Sequence, residues 1–228
     1  MKIIFLSDIH SNWNYLSQVK SFIESEKADF IYFLGDAIGY YDEPNEVLNW
    51  LKEISAFCIK GNHEKYFLDE LMCDSKLDNI YQVSTNKNII TSENKEFISK
   101  WKDKLEVMIC GKKFLIVHGD FNSSENHIYD VTKIDEKILK QYDYYIYAHT
   151  HIPLIQYTYG CCVINPGSIG QPRDYTEMPS FVTVDLSKNE VKIKKIEVEK
   201  DRYLLNLEEK IFDQKVINIL KRNKYGTN

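Results

Sequence analysis

Side chains that can bind metal ions occur in five short clusters along this chain of 228 residues. The chain holds six histidines, and five of them lie inside these clusters. Histidines of the core or the surface would be scattered instead, so the arrangement predicts a hydrolytic site that holds two metal ions. The clusters are Asp8-x-His10, Gly35-Asp36, Gly61-Asn62-His63-Glu64, His118-Gly119 and His149-Thr150-His151.

The candidate ligands offer imidazole, carboxylate and amide donors. These donors suit Mn²⁺, Fe and Zn²⁺, whereas a structural zinc site would be expected to use thiolates. Asp8 and Asp36 are the only carboxylates among the seven candidates, so two divalent ions would leave a positive charge of about +2, or about +1 with a bridging hydroxide. A phosphate group is the anion that such a site would attract. Two ions about 3.5–4 Å apart can activate a water for in-line displacement at phosphorus.

The first three clusters each follow an apolar run of strand length. The carboxyl ends of parallel strands meet at one edge of an α/β sheet, so we expect Asp8, Asp36 and Asn62 to lie close together. The first and last clusters space their ligands i, i+2. In an extended segment this spacing would place both side chains on the same side.

Apolar periodicity and turn residues predict alternating strands and helices up to about residue 60, and hairpins after that. The β-α-β-α-β order predicts parallel strands. The predicted class is α/β (mixed α+β), with two mixed sheets and helices outside them in one domain over 1–228, ending in a helical tail over about 202–222. The predicted helices are 15–26, 44–53 and 131–140, and the predicted strands are 2–7, 30–34, 56–60, 107–110, 114–118, 144–148, 154–157, 162–165, 181–185 and 191–198, with a hairpin turn at Gly111-Lys112.

Composition and charge disfavour several classes of function. The net charge of -5 gives no basic footprint for duplex nucleic acid or an anionic membrane. The apolar run near the N-terminus ends at Leu6, too early for a secretory signal. No apolar stretch approaches the roughly 20 residues that span a bilayer. We therefore expect a soluble cytoplasmic protein.

The order of the five clusters resembles the calcineurin-like metallophosphoesterases. Any one cluster is a weak signal, but Asp-x-His, Gly-Asp, Gly-Asn-His, His and His-x-His in this order are specific. The motifs span residues 8 to 174, about three quarters of the chain. Three segments are similar to the compact bacterial and archaeal phosphodiesterase branch of that family: 35–40 (Gly-Asp-Ala-Ile-Gly-Tyr), 44–46 (Pro-Asn-Glu) and 165–168 (Asn-Pro-Gly-Ser).

The resemblance implies a fold, a cofactor and a role for each candidate residue. The fold would be a four-layer αββα sandwich, and the cofactor two divalent ions, Mn²⁺ foremost, with Fe, Ni²⁺ or Zn²⁺ as alternatives. His63 would lie near the leaving-group oxygen as a proton donor or charge stabiliser. The first ion would be held by Asp8, His10, Asp36 and His151, and the second by Asn62, His118 and His149, with Asp36 bridging the two.

Two features depart from the family pattern. The position three residues after the bridging aspartate, where relatives often carry an acid that orients the catalytic histidine, is Gly39. Glu64 and Asp42 are the candidates to orient His63 instead. The segment after the fourth cluster, residues 120–124, is polar and is a candidate for substrate selection.

Two polar residues outside the clusters are candidate substrate contacts, each with a structural alternative. Asn12 could reach a phosphate oxygen or cap the helix that follows it. Arg173 could bind phosphate through its guanidinium or form a surface salt bridge with Asp174 or Glu177. His127, outside every cluster, is expected at the surface.

The leading functional hypothesis is a metal-dependent phosphodiesterase acting on a small phosphoester, with nucleotides among the conceivable substrates. A phosphomonoesterase, including a phosphoprotein phosphatase, would use the same ligands and stays open. A non-catalytic scaffold of the same fold is the alternative from another class. Scaffolds of this family typically lose His or Asp ligands, whereas no ligand position is vacant here.

Overall fold

Strands and helices alternate along residues 1–210 and 213–221, the part of the chain that this computed structural model describes. The strands are β1 (Lys2–Leu6), β2 (Phe30–Phe33), β3 (Phe57–Cys58), β4 (Lys104–Ile109), β5 (Lys112–Val117), β6 (Tyr144–Ile146), β7 (Leu154–Thr158), β8 (Cys161–Asn165), β9 (Ser180–Asp185) and β10 (Glu190–Lys195). The helices are α1 (Trp13–Ser25), α2 (Pro44–Glu53), α3 (Asn62–Phe67), α4 (Ser75–Tyr81), α5 (Val83–Ile89), α6 (Ser92–Ser99), a 3-10 helix (Val131–Lys133), α7 (Glu136–Leu139), α8 (Asp201–Glu209) and α9 (Gln214–Leu220).

The first sheet has the strand order β10-β9-β1-β2-β3. β1 pairs in parallel with β2, and β2 with β3, so α1 and α2 are the crossover helices of the predicted β-α-β-α-β unit. The hairpin of β9 and β10 extends the other side of β1 in antiparallel orientation. Because β1, β2 and β3 run in the same direction, the loops that follow them meet at one edge of the sheet, as predicted.

The second sheet has the order β4-β5-β6-β8-β7, with β5, β6 and β8 parallel and a hairpin on each side. The first hairpin turns at Cys110-Gly111, one residue before the predicted turn, because Ile109 pairs with Lys112. Both turn residues have positive φ, 49° and 76°. Two left-handed residues make a type I′ turn, which fits the twist of the flanking strands and takes glycine at its second position.

The two sheets pack face to face, and alternate residues of β1 face opposite layers. Phe5 points between the sheets, where its ring lies 6.1 Å from that of Phe114. Leu6 points outward into a core shared with α1 and α2. On the far side of the second sheet, Leu115 packs with Leu139 of α7. The predicted four-layer αββα sandwich is therefore confirmed.

The outer layer over the second sheet differs from its prediction. In place of one helix over 131–140, the chain forms the 3-10 helix and α7 as two separate pieces. Asp130 caps the first piece and Asp135 caps the second, each accepting a backbone N–H with its side chain. Aspartate competes with the helix for backbone donors, so Asp135 starts a new helix where the predicted one should have continued.

Four short helices, α3 to α6, join β3 to β4, in a region for which the sequence pattern gave no prediction. α3 buries five of its six residues, whereas α5 and α6 bury two each and α4 buries none. A helix with so narrow an apolar stripe leaves little periodicity to detect.

The predicted helical tail over about 202–222 forms two helices, α8 and α9; residues 211–212 and 222 lie outside the described residues. Leu207 and Ile217 of the tail pack with Tyr15 and Tyr41, beside the loop after β2. Within the described ranges, no helix is both long and apolar enough to cross a membrane.

Candidate metal centre

The candidate ligands lie on turns with unusual backbone conformation. The N–H of His10 donates to the carbonyl of Asp36 at 2.9 Å, which joins the loops after β1 and β2. Asp8, His10, Asp36, His149 and His151 all have positive φ, from 52° to 66°. Left-handed conformations are costly for residues other than glycine and cluster at functional sites. The i, i+2 ligands thus come together through left-handed turns in the loops after the strands, and not through an extended segment.

Asp8, His10 and His151 form the first donor group, whose ligand atoms all lie within 4.8 Å of one another. The Nε2 atoms of His10 and His151 are 3.2 Å apart. The Oδ1 of Asp8 is 3.5 Å from Nε2 of His151 and 4.0 Å from Nε2 of His10. All three side chains are buried.

Asp36, His118 and His149 form the second donor group. The Nε2 of His118 lies 3.3 Å from Nδ1 of His149, 3.3 Å from Oδ2 of Asp36 and 3.2 Å from Oδ1 of Asn62. The same Oδ2 of Asp36 is 3.7 Å from Nε2 of His10 in the first group, so Asp36 stands between the two groups. The structure therefore brings all seven predicted ligands to one place.

Backbone carbonyls fix the tautomers of the four histidines. The Nδ1 atoms of His10, His118 and His151 donate to carbonyl oxygens at 3.2, 2.6 and 2.7 Å, and Nε2 of His149 donates to the Glu125 carbonyl at 3.2 Å. In a neutral ring the remaining nitrogen then carries a lone pair that faces the other donors. Facing lone pairs repel one another unless a cation lies between them, and histidines that bind metals are held in this way by a second hydrogen bond.

The Asp8 carboxylate supports the same interpretation. Both of its oxygens are buried, and neither has a hydrogen-bond partner among the described residues. Burial raises the pKa of Asp8 to about 7. A buried carboxylate without partners is costly, and a divalent cation would supply the missing charge. The donor set therefore fits divalent metal ions.

The histidine pKa values also suit metal binding. Burial lowers the pKa of His149 to about 2 and those of His10 and His151 well below their usual value, so these rings are neutral, as metal binding requires. His118 differs: burial acts to lower its pKa, but the neighbouring Asp36 raises it to about 9. A proton and a metal ion therefore compete for its Nε2.

His63 stands at the edge of the two groups, with its ring 4.7 Å from that of His10. Its Nδ1 is buried, has no hydrogen-bond partner among the described residues, and faces Gly39. Tyrosine rings surround it, at 5.0 Å for Tyr40, 4.8 Å for Tyr81 and 6.0 Å for Tyr66. These three rings form a tyrosine collar, and burial inside it lowers the pKa of His63 to about 4.

Neither acid that was predicted to orient His63 does so. The Glu64 carboxylate instead accepts the backbone N–H groups of Asp36, Ala37 and Gly61 at 2.7–2.8 Å, which ties the second and third loops together. Asp42 pairs with Lys210 of the tail at 2.5 Å. The His63 ring is held instead by close packing against Gly39 and the tyrosine collar.

The two candidate substrate contacts have different surroundings. Asn12 is fully buried; its Oδ1 accepts the N–H of Tyr15 at the start of α1 and its Nδ2 donates to the Gly170 carbonyl. Of its two predicted roles, capping is the one that this geometry favours, because both ends of the amide are already bonded.

Arg173 lies beside the metal centre and forms neither of the predicted salt bridges. Its Nη2 donates to Gln171 at 2.7 Å and reaches the Tyr40 hydroxyl at 3.5 Å. Asp174 pairs with Lys195 and Glu177 with Lys200 instead, so the salt-bridge alternative was wrong. The positive charge of Arg173 acts on Asp8, lowering the pKa of that carboxyl, and the Nε of Arg173 has no hydrogen-bond partner among the described residues.

Several residues at the site carried no signal in the sequence. The Tyr66 hydroxyl donates to the Glu125 carboxylate at 2.5 Å across 59 residues of chain, and no local pattern could reveal that pair. His127 is exposed, as predicted, but its ring centroid lies only 3.9 Å from that of His149. The tyrosine collar could have been suspected only from the 16 tyrosines in the composition.

A family model for the calcineurin-like phosphoesterase superfamily domain matches residues 1–189. The chain belongs to this superfamily. Membership indicates a hydrolase of phosphoester bonds that uses divalent metals, and the buried His and Asp groups fit that chemistry. The resemblance inferred from the five clusters is thereby confirmed.

Relatives in this superfamily match over most of the chain. An uncharacterized protein of Methanocaldococcus jannaschii is 29% identical over 212 residues, 86% of this chain and 87% of its own length. The phosphodiesterase YfcE of Escherichia coli is 22% identical over 183 residues, 76% of this chain and 82% of its own. A metallophosphoesterase structure from Sphaerobacter thermophilus superposes with a TM-score of 0.79 at 19% identity, over 97% of this chain and 99% of that one, and shares the fold.

Proposed function

We propose that the chain is a phosphodiesterase that uses two divalent cations, with Mn²⁺ the expected ion. The first donor group and Asp36 would hold one cation, and Asp36, Asn62, His118 and His149 would hold the other. The observation that carries the proposal is the close approach of two pairs of ring nitrogens, at 3.2 Å between His10 and His151 and at 3.3 Å between His118 and His149, with the Asp36 carboxylate between the pairs.

The chain's own residues would bind the phosphate and assist the leaving group. When bound, the cations would lower the pKa of the attacking water and neutralise the phosphate. Arg173 would hold a phosphate oxygen. Because Nδ1 of His63 is sealed against Gly39, its Nε2 is left to face the substrate, and as a neutral imidazole it would donate a hydrogen bond to the leaving oxygen.

A diester is favoured over a monoester because the site offers a wall for each ester group. The tyrosine collar surrounds His63, and His127 packs against His149. The relative YfcE is named a phosphodiesterase, which supports the same choice. A small phosphoester, with nucleotides included, is the substrate class that we propose.

The test is hydrolysis of bis(p-nitrophenyl) phosphate, compared with p-nitrophenyl phosphate, in the presence of Mn²⁺. We expect the diester to be preferred, EDTA to abolish activity and added Mn²⁺ to restore it. Asp36→Asn and His149→Ala should each lower kcat by at least about 10²-fold, because each removes a ligand. Asp143→Asn is the matched control, since Asp143 pairs with Lys112 at the surface.

Each contrary result points to a different alternative. Preference for the monoester would favour a phosphomonoesterase. Purified protein that holds no metal and hydrolyses neither compound would favour a scaffold. Full activity in both ligand variants would refute the site itself.

A further inference from the structure

A cavity of about 350 Å³ opens beside the metal centre, between the segment that follows β5 and the outer face of the second sheet. His127 lines it, and the ring of His127 lies 3.9 Å from that of His149, whose Nδ1 faces the metal-binding donors. Ligand cavities of small molecules run from roughly 300 to 1,000 Å³, so this one could hold a flat ring system and part of an attached sugar.

The walls of this cavity are aromatic. Phe121, Tyr129 and Tyr145 line it together with His127, and the His127 and Tyr129 rings are nearly parallel, 5.4 Å apart. The Tyr145 hydroxyl is buried and has no hydrogen-bond partner among the described residues. Burial raises the pKa of Tyr145, and the backbone N–H of Phe121 acts in the opposite direction. The protonated hydroxyl is therefore a donor without an acceptor at the wall of the cavity.

The charged residues of the cavity exclude a phosphate. Asp120, Asp130 and Asp135 outnumber Lys133 on its walls. A second phosphate would be repelled, whereas amino groups would find acceptors, because carboxylate oxygens can accept several hydrogen bonds. The occupant should therefore be flat, uncharged, rich in amino donors and equipped with an acceptor for Tyr145. A nucleobase combines these features, and it stacks on aromatic side chains.

We propose that this cavity binds the nucleobase of a nucleotide ester whose phosphate lies at the metal centre. The proposal rests on the proposed phosphodiesterase function and names its substrate class. His63, the proposed donor to the leaving oxygen, packs against His10 of the first donor group, whereas the cavity adjoins His149 of the second. The nucleoside is therefore the ester group that stays on phosphorus.

The reaction then has a defined outcome. Water adds its oxygen to phosphorus, and the bond from phosphorus to the leaving alcohol's oxygen breaks. One proton of the water ends on that alcohol and the other is released to solvent at neutral pH. The products are a nucleoside monophosphate, with its base in the cavity, and the second alcohol.

The test compares kcat/KM for the p-nitrophenyl ester of adenosine 5′-monophosphate with that for bis(p-nitrophenyl) phosphate. We expect the wild type to prefer the adenosine ester. Tyr129→Ala should lower the ratio of the two kcat/KM values about tenfold, because it removes a stacking surface. Tyr145→Phe should lower it about fivefold, because it removes one donor and keeps the ring.

Two control variants match these changes outside the cavity. Tyr157→Ala removes a tyrosine as exposed as Tyr129, 69% against 70%, from β7. Tyr144→Phe removes a hydroxyl from the opposite face of the strand that carries Tyr145. Both controls should keep the wild-type ratio. An unchanged ratio in both cavity variants would overturn the proposal and leave the phosphodiesterase function intact.

Two further measurements separate the remaining outcomes. Calorimetry with adenosine alone reports on the cavity without catalysis, and Tyr129→Ala should weaken that binding about tenfold; equal binding would overturn the proposal. If neither ester were hydrolysed, the proposed function would fail. The binding of adenosine would still show whether the cavity binds a nucleobase. Aromatic and acidic walls also suit quaternary ammonium groups. A preference for the p-nitrophenyl ester of phosphocholine over the adenosine ester would therefore also overturn the proposal that the cavity binds a nucleobase.

Discussion

Gly39 packs against Nδ1 of His63 so closely that a β-carbon at residue 39 would overlap the imidazole ring. The φ of Gly39 is +93°, which side chains rarely adopt. An acidic residue, which the wider family often has at this position, therefore cannot fit beside His63 in this chain. We predict that Gly39→Ala displaces the His63 ring and lowers kcat for bis(p-nitrophenyl) phosphate by about 10²-fold.

Gly111→Ala is the control for this prediction. Gly111 also has a positive φ, +76°, but a β-carbon there would meet nothing within 4 Å. It therefore separates backbone strain from the clash with His63. In a His63→Ala background, Gly39→Ala should lower kcat little further, because both changes remove the same interaction. An additive loss in the double variant would contradict the inference.

The sequence predicts those features of the fold and the site that leave a pattern among residues close together in the chain. The ligands of both donor groups were predicted because each follows a strand or forms a short motif, and the sandwich brings strand ends together. The role of Glu64 was mistaken because its three backbone partners become neighbours only when the loops meet. The pair of Tyr66 and Glu125 had no signal at all, since neither residue belongs to a motif.

The two donor groups predict separable metal sites. His151→Ala removes a ligand from the first group and leaves His118 and His149 in place. We expect the metal content of purified protein, measured by mass spectrometry, to fall from about two ions to about one per chain. His127→Ala is the control, because His127 stacks on His149 but lies outside both groups. Loss of both ions from His151→Ala would mean that the groups bind as a single unit.

Glu64 should stabilise the ligand loops through its three backbone bonds. In Glu64→Gln the amide nitrogen cannot accept the N–H groups that now bond to the carboxylate. We expect the free energy of unfolding to fall by about 2–3 kcal/mol, measured in urea without added metal. Metal affinity should also fall, by about 10–100-fold, because the loop that carries Asp36 loses support. Glu46→Gln, at an exposed position of α2, should change neither quantity.

Asn12 and Arg173 should separate into a structural and a substrate-binding residue. Asn12→Ala removes the cap of α1 and should lower the free energy of unfolding by about 1–2 kcal/mol, with KM nearly unchanged. Arg173→Met should leave stability nearly unchanged and raise KM about tenfold or more, because a phosphate oxygen loses its charged donor. A large rise in KM for Asn12→Ala, without loss of stability, would restore it as a substrate contact.

Glu26 should make stability depend on pH in the acid range. Its carboxylate bonds to Lys194 of β10 at 2.8 Å and to Lys2 of β1 at 3.0 Å, and these hydrogen bonds lower its pKa below the ordinary 4.5. A group whose pKa is lower in the folded state stabilises the fold above its unfolded pKa. That stabilisation is lost as the pH falls through the folded value. Glu26→Gln should therefore lower the free energy of unfolding by up to about 1 kcal/mol at pH 7 and have little effect at pH 3.

Urea unfolding of the wild type and of Glu26→Gln at both pH values measures this difference. Other carboxylates also protonate at low pH, but their contribution is common to the two proteins and cancels in the comparison. The effect at pH 7 should shrink in 1 M NaCl, because both ion pairs are partly exposed and salt screens them. An equal loss of stability at pH 7 and pH 3 would mean that Glu26 acts through the packing of its methylenes, and that its charge contributes nothing.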